Sequence, residues 1–222
     1  MLIKQLIEVF DLLDSSTVTG ADVVAYLKGI NPNANVETYP LVGPRGKTDM
    51  VKVRIPGTSG KTSGGSAPTI GILGRLGAIG ARPEMIGYVS DGDGALAALT
   101  VAAKLLDMQM KGDFLPGDVF ISTHVSPFAP TQPHDPVPFM SSPVDTYQIN
   151  QEEVSPELDA ILSVDTTKGN RILNSRGIAI TPTVKEGYIL PVSAKLLDLA
   201  GYVSGELPRV IALSQYDITP YG

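Results

Sequence analysis

Apolar residues near the start of the chain recur with the spacing of an α-helix. The run "MLIKQLIEVFDLLD" therefore predicts an amphipathic helix. The residues expected to face the core are Leu2, Ile3, Leu6, Phe10 and Leu13. Thr19, followed three residues later by Asp22, predicts the N-terminus of a second short helix.

Alternating apolar and polar residues in segments 35–42 and 49–55 predict a β-hairpin, because the turn-like "GPRGKT" separates them. After a glycine- and serine-rich loop, strands and helices alternate. The predicted strands span 69–74, 85–90, 117–125, 159–165, 178–184 and 209–214, and the predicted helices span 95–108 and 193–203, with Ser193 as a cap. This order predicts an α/β fold with a mostly parallel sheet. The proline-rich stretch 124–150 is expected to be irregular.

Composition narrows the function classes. The 222 residues are enough for one well-buried domain, and a hydrophobic content of 43% is ordinary for a soluble protein. A net charge of −6 argues against sequence-independent nucleic-acid binding. The absence of cysteine excludes disulfides, thiolate nucleophiles and cysteine-ligated zinc. Without a signal peptide or a membrane-length apolar run, we expect a soluble, cytoplasmic protein with no membrane partner.

The segment "GTSGKT" at 57–62 resembles a phosphate-binding loop but lacks a part of that motif. Ile55 stands where the motif requires its first glycine, and the lysine leads into more loop instead of a helix. Nucleotide binding is therefore not predicted.

Both histidines of the chain lie in "THVSPFAPTQPHDPVPF". His124 follows a predicted strand, and His134 is followed by Asp135. Ligand sites of open α/β sheets lie beyond the carboxyl ends of the strands, and imidazole is both a metal ligand and a proton shuttle. Two alternatives stay open: the histidines are site residues, or His124 is a hydrogen-bonded strand-end residue and His134 lies in solvent.

Two aspartates in "SDGDGALAAL" stand where a strand is predicted to give way to a helix. Asp91 alone is explained as a helix cap that accepts free backbone N–H groups. Capping explains a second aspartate, Asp93, less well. Two carboxylates on a short turn are also suitable ligands for Zn²⁺, Mn²⁺ or Mg²⁺. Asp165 ends another predicted strand. If those strands are parallel, Asp91, His124 and Asp165 converge at one edge of the sheet.

Several runs resemble a family of bacterial and archaeal proteins catalogued as domain of unknown function family 1177. They include "MIGYVSDGDGALAALTVAAKLLDM", "PTQPHDPVPFM" and "SVDTTKGNRI", and the resemblance extends over essentially the whole chain. It implies no established activity. Family members continue beyond residue 222, so the chain is expected to be a fragment, a truncation or a processed product. We expect one α/β domain over 1–222 that lacks C-terminal elements.

A more distant resemblance is to the two-metal aminopeptidases and deacylases of the zinc-peptidase superfamily. It implies a three-layer αβα sandwich with a mostly parallel mixed sheet. It places Asp91 in the bridging-ligand position and Asp165 in a later ligand position. Arg75 and Gly77 occupy the places of the superfamily's histidine-x-aspartate motif, and "SPF" replaces its glutamate pair. Arg75 is thus expected to bind an anionic substrate group or to pair with Asp91.

The leading hypothesis is a metal-dependent hydrolase of an amide or peptide-like small molecule. Its metal ligands would come from Asp91, Asp93, Asp135 and Asp165, with zinc as the expected divalent cation. His124 and His134 would act in catalysis, and Arg75 and Lys168 would bind substrate. The alternative is a catalytically degenerate protein that binds a small metabolite or serves as a structural subunit. A homo-oligomer is expected, and a C-terminal partner chain would complete a processed protein.

Overall fold

A computed structural model describes residues 2–15, 17–75, 78–81, 92–133, 139–140, 142–166 and 176–211. They belong to two compact units, Met1–Thr166 and Thr167–Gly222. Each unit is described separately.

The described residues of the first unit form four helices and eight strands. In chain order these are α1 (Leu2–Leu13), α2 (Gly20–Ile30), β1 (Asn35–Gly43), β2 (Gly46–Ile55), β3 (Ile70–Gly74), β4 (Ala78–Ala81), α3 (Asp93–Met110), β5 (Val119–Ala129), β6 (Thr131–Gln132), β7 (Phe139–Met140), α4 (Thr146–Glu153) and β8 (Ala160–Val164). A 3-10 turn spans Lys61–Ser63. The stretch predicted to be irregular thus contains the end of β5, the short pair β6–β7 and most of α4.

Six of these strands form one mixed sheet, in which β1, β2, β5, β3 and β8 are successive neighbours and β4 also pairs with β5. The β1–β2 hairpin is antiparallel, as predicted, and β2 is antiparallel to β5. The pairings of β5 with β3 and β4, and of β3 with β8, are parallel. The predicted α/β fold with a mixed sheet is confirmed.

Helices cover both faces of this sheet. Val51 and Val53 of β2 belong to a core cluster with Leu99 and Ala102 of α3, to which α1 and α2 also contribute. Met50, which points to the opposite face because side chains alternate along a strand, packs instead with Ile149 of α4. The first unit therefore has three layers, with α4 alone on the second face among the described helices.

The prediction for α1 was right about the helix and wrong about the side that packs. Gln5, Val9 and Leu13 are its buried residues. Of the five residues expected in the core, the exposed ones are Leu2, Ile3, Leu6 and Phe10. Apolar side chains occupy two stripes of this helix, and its packing against α3 uses the stripe that contains Val9.

The second unit consists of short elements. They are β9 (Ala179–Ile180), β10 (Val184–Lys185), β11 (Tyr188–Ile189), α5 (Ala194–Ser204) and β12 (Arg209–Val210). The strand predicted over 178–184 is divided between β9 and β10. Glu186 and Gly187, both at positive φ, connect the antiparallel pair β10–β11, while β12 is parallel to β9. Ser193 precedes α5 as predicted but makes no side-chain capping bond. Among the described helices of both units, none combines the length and apolarity that crossing a bilayer demands.

Candidate functional site

The carboxyl ends of the parallel strands β3 and β8 bring two predicted site residues close together. Arg75 follows β3, and its backbone N–H donates to the carbonyl oxygen of Val164 at 2.8 Å. Asp165 follows β8, is exposed, and accepts a 2.8 Å hydrogen bond from the N–H of Thr166. Open parallel sheets bind ligands at this edge.

We expected His124 to follow a strand. It lies instead within β5, which continues to Ala129. It pairs with Met50 of β2 across the sheet and its side chain is fully buried. The length of β5 was underestimated because "SPFAP" resembles a turn while its backbone continues the pairing with β4.

The N-terminus of α3 packs directly on the end of β3. Gly92 is the N-cap without a side-chain capping bond, and Asp93 is the first helical residue and exposed. A Cβ atom on Gly94 would lie 1.8 Å from the carbonyl oxygen of Arg75. The close contact with the Arg75 carbonyl therefore explains why residue 94 is a glycine. Asp93 lies in the first turn of α3, where the helix dipole stabilises a negative charge. Asp91 lies outside the described residues.

Arg75 is bound by the last turn of α4. Its Nη2 atom donates to Asn150 Oδ1 at 2.6 Å and lies 2.9 Å from Glu153 Oε2. Glu153 is fully buried and the Arg75 side chain is only 11% exposed. The orientation is that of an ion pair and not of an aligned hydrogen bond. Burial raises the pKa of Glu153, although Arg75 and the nearby Ser122 hydroxyl act in the opposite direction.

The tautomer of His124 follows from its hydrogen-bond network. The single hydroxyl hydrogen of Thr48 is donated to the Val125 carbonyl oxygen at 3.1 Å. In its 2.9 Å contact with His124 Nδ1, Thr48 must then accept, so Nδ1 carries the ring hydrogen. Burial, assisted by the charge of Arg75, lowers the pKa of His124 to about 4. At pH 7 the ring is therefore neutral, with a lone pair on Nε2.

Four of the buried side-chain atoms that lack hydrogen-bond partners among the described residues lie on this face of the sheet. They are Ser122 Oγ, His124 Nε2 and the two carboxylate oxygens of Glu153. Ser122 and His124 alternate on β5 and so share the face that α4 covers. Each buried polar group without a hydrogen bond costs about 1–3 kcal/mol, so such a group calls for a specific explanation.

Glu152, the neighbour of Glu153, forms a second contact between α4 and the sheet. It accepts a hydrogen bond from the Tyr39 hydroxyl and pairs with Lys52 at 3.2 Å. These contacts, that of Tyr39 foremost, lower the pKa of Glu152. Adjacent glutamates thus differ: the pKa of one is lowered and that of the other is raised.

The glycine-rich loop does bind an anion, but the anion is a side chain of this protein. The Asp118 carboxylate accepts hydrogen bonds from Gly57 N, Thr62 N and Thr62 Oγ1, each at 2.8 Å. Lys61 pairs instead with Asp159 at 2.6 Å. The resemblance to a phosphate-binding loop therefore reflects similar backbone chemistry, with the carboxylate in the place of a phosphate.

The described residues do not include a set of ligands for the predicted metal ion. Within the ranges that the structure describes, no three His, Asp or Glu residues form a group suited to a metal ion. His134, Asp135 and Lys168 lie outside those ranges, as does Asp91. Sequence reasoning missed Asn150, Glu152 and Glu153. Asn150 ends the stretch predicted to be irregular, and the two glutamates follow it in a segment for which no element was predicted. The only signal was the adjacent pair of acids in "NQEEV".

Comparisons with known proteins give weak structural likenesses. A glutaminyl cyclase from an Acidobacteriales bacterium has a TM-score of 0.47 and 13% identity, over 96% of this chain and 72% of that one. The bottromycin maturation enzyme BotP has a TM-score of 0.36 and 16% identity, over 56% of this chain and 29% of that one. The chain thus spans less than a third of the BotP structure. A search of curated proteins found no match.

A family model gives the clearest likeness. The model described as "Protein of unknown function (DUF1177)" matches residues 41–222. The match begins within β1, so α1 and α2 lie outside it, whereas we expected it to extend over essentially the whole chain. Because it covers most of the chain, the protein belongs to the DUF1177 family.

Proposed function

We propose that this protein is a hydrolase of an amide or peptide-like small molecule, with Glu153 as its proton-transfer group. The observation that carries the proposal is the raised pKa of Glu153, a fully buried carboxyl beside Arg75. On the same side of the sheet lie Ser122 and the His124 Nε2 atom, which has no hydrogen-bond partner among the described residues. A carboxyl whose pKa is moved towards neutrality suits general acid–base catalysis. Buried polar groups without partners are also typical of sites that a ligand completes.

The roles of the other residues follow from their protonation. The Nε2 lone pair of His124 accepts a hydrogen bond from the attacking water and orients it. Because the pKa of His124 is low, the ring acts as a hydrogen-bond acceptor and is a poor general base. Glu153 takes the proton of that water and returns it to the leaving amine. Arg75 holds a carboxylate of the substrate, as expected from the sequence. His134 and Lys168 remain candidates from sequence for proton transfer and substrate binding.

Substrate access requires α4 to move, because Glu153 and His124 are both fully buried. This helix buries one apolar residue, Ile149, and Glu153. Its last turn is held by ion pairs with Arg75 and Lys52. An incoming carboxylate that competes with Glu153 for Arg75 would release that turn and open the site.

A divalent cation would polarise the scissile carbonyl, but the described residues do not fit one. Arg75 lies close enough to His124 to lower its pKa, so the same field would oppose a second cation. The sequence hypothesis of zinc held by Asp91, Asp93, Asp135 and Asp165 is tested separately. Elemental analysis of protein purified without added metal should find a metal that Asp91→Ala loses. No metal in either protein after incubation with zinc would overturn that hypothesis.

The hydrolase proposal is tested with a panel of N-acyl amino acids, dipeptides and amino-acid amides. Glu153→Gln should lower kcat/KM at least about 100-fold, because an amide cannot transfer the proton. Glu152→Gln is the matched control, since it alters the adjacent ion pair and should change kcat/KM less than about threefold. Circular dichroism would check that both variants fold. Absence of turnover by the wild-type protein over the whole panel, or equal losses in both variants, would refute the proposal.

A second candidate is a non-catalytic protein that binds an anionic metabolite. The nearly buried guanidinium of Arg75 supports it, because a metabolite carboxylate that takes the place of Glu153 on Arg75 would be bound without any proton transfer. This candidate predicts thermal stabilisation by a carboxylate metabolite without turnover. Arg75→Met should abolish the stabilisation, while Arg54→Met, at an exposed ion pair, should retain it.

A further inference from the structure

We propose that two copies of this chain associate through α1, with the two helices antiparallel about a two-fold axis. The contact surface, here called the outer face of α1, consists of Leu2, Ile3, Leu6, Ile7 and Phe10. Their exposed fractions are 51%, 61%, 38%, 55% and 40%. This inference is independent of the hydrolase proposal.

The outer face is unusual for a surface helix. On its other side α1 already packs against α3 through Val9 and Leu13. A surface helix of a globular protein normally has one apolar stripe, and a helix that is apolar on two sides is normally covered on both. Contiguous exposed apolar patches of this kind mark interaction surfaces.

The order of the residues matches a second copy of the same helix. Ile3 and Phe10 lie at equal distances from the midpoint between Leu6 and Ile7. In an antiparallel pair centred on that midpoint, Ile3 contacts Phe10 of the second copy and Leu6 contacts Ile7. A two-fold interface needs such a self-complementary surface.

The charges of α1 favour the same arrangement. Lys4 lies in its first half, whereas Glu8 and Asp11 lie in its second half. Lys4 and Asp11 are seven residues apart and therefore share one flank of the helix. Antiparallel pairing brings Lys4 of each copy towards Asp11 of the other, so opposite charges meet twice. In a parallel two-fold pair this flank of each copy would lie on opposite sides of the interface, so Lys4 and Asp11 of the two copies would not meet.

The same charges argue against a lipid surface as the occupant. Helices that lie on membranes are rich in Lys and Arg on their polar face, because biological surfaces are anionic. The described part of α1 carries one lysine and two acids, and the whole chain carries a net charge of −6. A protein surface of matching charge is the better partner.

The test is the oligomeric state of the full chain. One short helix per copy gives an interface at the low end of specific ones, below about 1,200 Å². We therefore expect a reversible dimer, measured by sedimentation velocity between about 1 and 200 µM. Ile3→Gln/Ile7→Gln should weaken the dimer at least about tenfold. Val42→Gln removes a side chain of similar exposure, 68%, from β1 and should leave the dimer unchanged.

Charge reversal tests the orientation of the helices. Lys4→Glu and Asp11→Lys should each weaken dimerisation, and the double variant should restore most of the affinity because the opposite charges are exchanged. Circular dichroism would verify that the variants fold. A monomer at the highest concentration, or a dimer insensitive to Ile3→Gln/Ile7→Gln, would overturn the proposal. So would a monomer that binds anionic vesicles through α1, since it would identify a membrane surface as the occupant.

Discussion

Arg75 and Glu153 join the carboxyl end of β3 to the last turn of α4, with 2.9 Å between guanidinium and carboxylate. A carboxylate at the C-terminus of a helix is opposed by the helix dipole, and here it is also buried. The nearby guanidinium offsets these effects in part, and the pKa of Glu153 is still raised. The position of α4 over the sheet therefore depends on a charge that belongs to another element.

Removing one member of this ion pair should be costly. We expect Arg75→Met to lower the free energy of unfolding by about 3 kcal/mol, because Glu153 is left buried without its counter-charge. Arg75→Met/Glu153→Leu should recover much of that loss, and urea unfolding at pH 7 would measure the coupling. Arg54→Met, at the exposed pair with Glu157, should cost less than about 1 kcal/mol. Equal effects at the two pairs would contradict the role given to burial.

His124 should make the protein sensitive to acid. Because burial lowers its folded-state pKa from 6.5 to about 4, the unfolded chain binds the proton more readily. The contribution of His124 to stability is complete above pH 6.5 and is lost as the pH falls towards 4, by up to about 3 kcal/mol. Urea unfolding of wild type and His124→Gln between these pH values should show the loss in wild type alone. Parallel pH profiles would contradict it.

Two glycines in helices should respond oppositely to alanine. In Gly94→Ala the new methyl group would lie 1.8 Å from the Arg75 carbonyl oxygen, so α3 or β3 must shift. We expect a loss of about 1–3 kcal/mol or more. Gly29 lies in α2, where a methyl group would have no atom of the described residues within 4 Å, so Gly29→Ala should stabilise the protein by about 0.5–1 kcal/mol. Thermal unfolding of both variants would decide, and stabilisation by Gly94→Ala would disprove the close contact.

The Asp118 carboxylate should hold the glycine-rich loop in place. Burial opposes its charge, but hydrogen bonds from Thr62 and Gly57 outweigh burial and lower its pKa. This contribution is present above the pKa of an unfolded aspartate and is lost as the pH falls through the folded value. At pH 7, Asp118→Asn should cost about 1.5–3 kcal/mol and speed amide exchange at Gly57 and Thr62. Asp113→Asn, at an exposed position in the loop after α3, should change neither. Calorimetry should find no binding of ATP to the wild type, because the Asp118 carboxylate already accepts the hydrogen bonds of the glycine-rich loop.

The sequence by itself determined the elements whose signals are local. The β1–β2 hairpin and α3 follow from periodicity and from residues that begin or end an element. The order of strands and helices then led to the α/β class. The departure of "GTSGKT" from the phosphate-binding motif also sufficed to argue against a nucleotide site.

Only the tertiary structure decided which side chains meet. Nothing local in "NQEEV" distinguishes Glu152, paired with Lys52, from Glu153, buried beside Arg75. Likewise, the apolar pattern of α1 contains two stripes, and only packing against α3 selects the one with Val9. Ion pairs and helix packing join residues far apart in the chain, and their energies depend on burial. Because periodicity reports only on near neighbours, it predicted the elements here and left their partners to the fold.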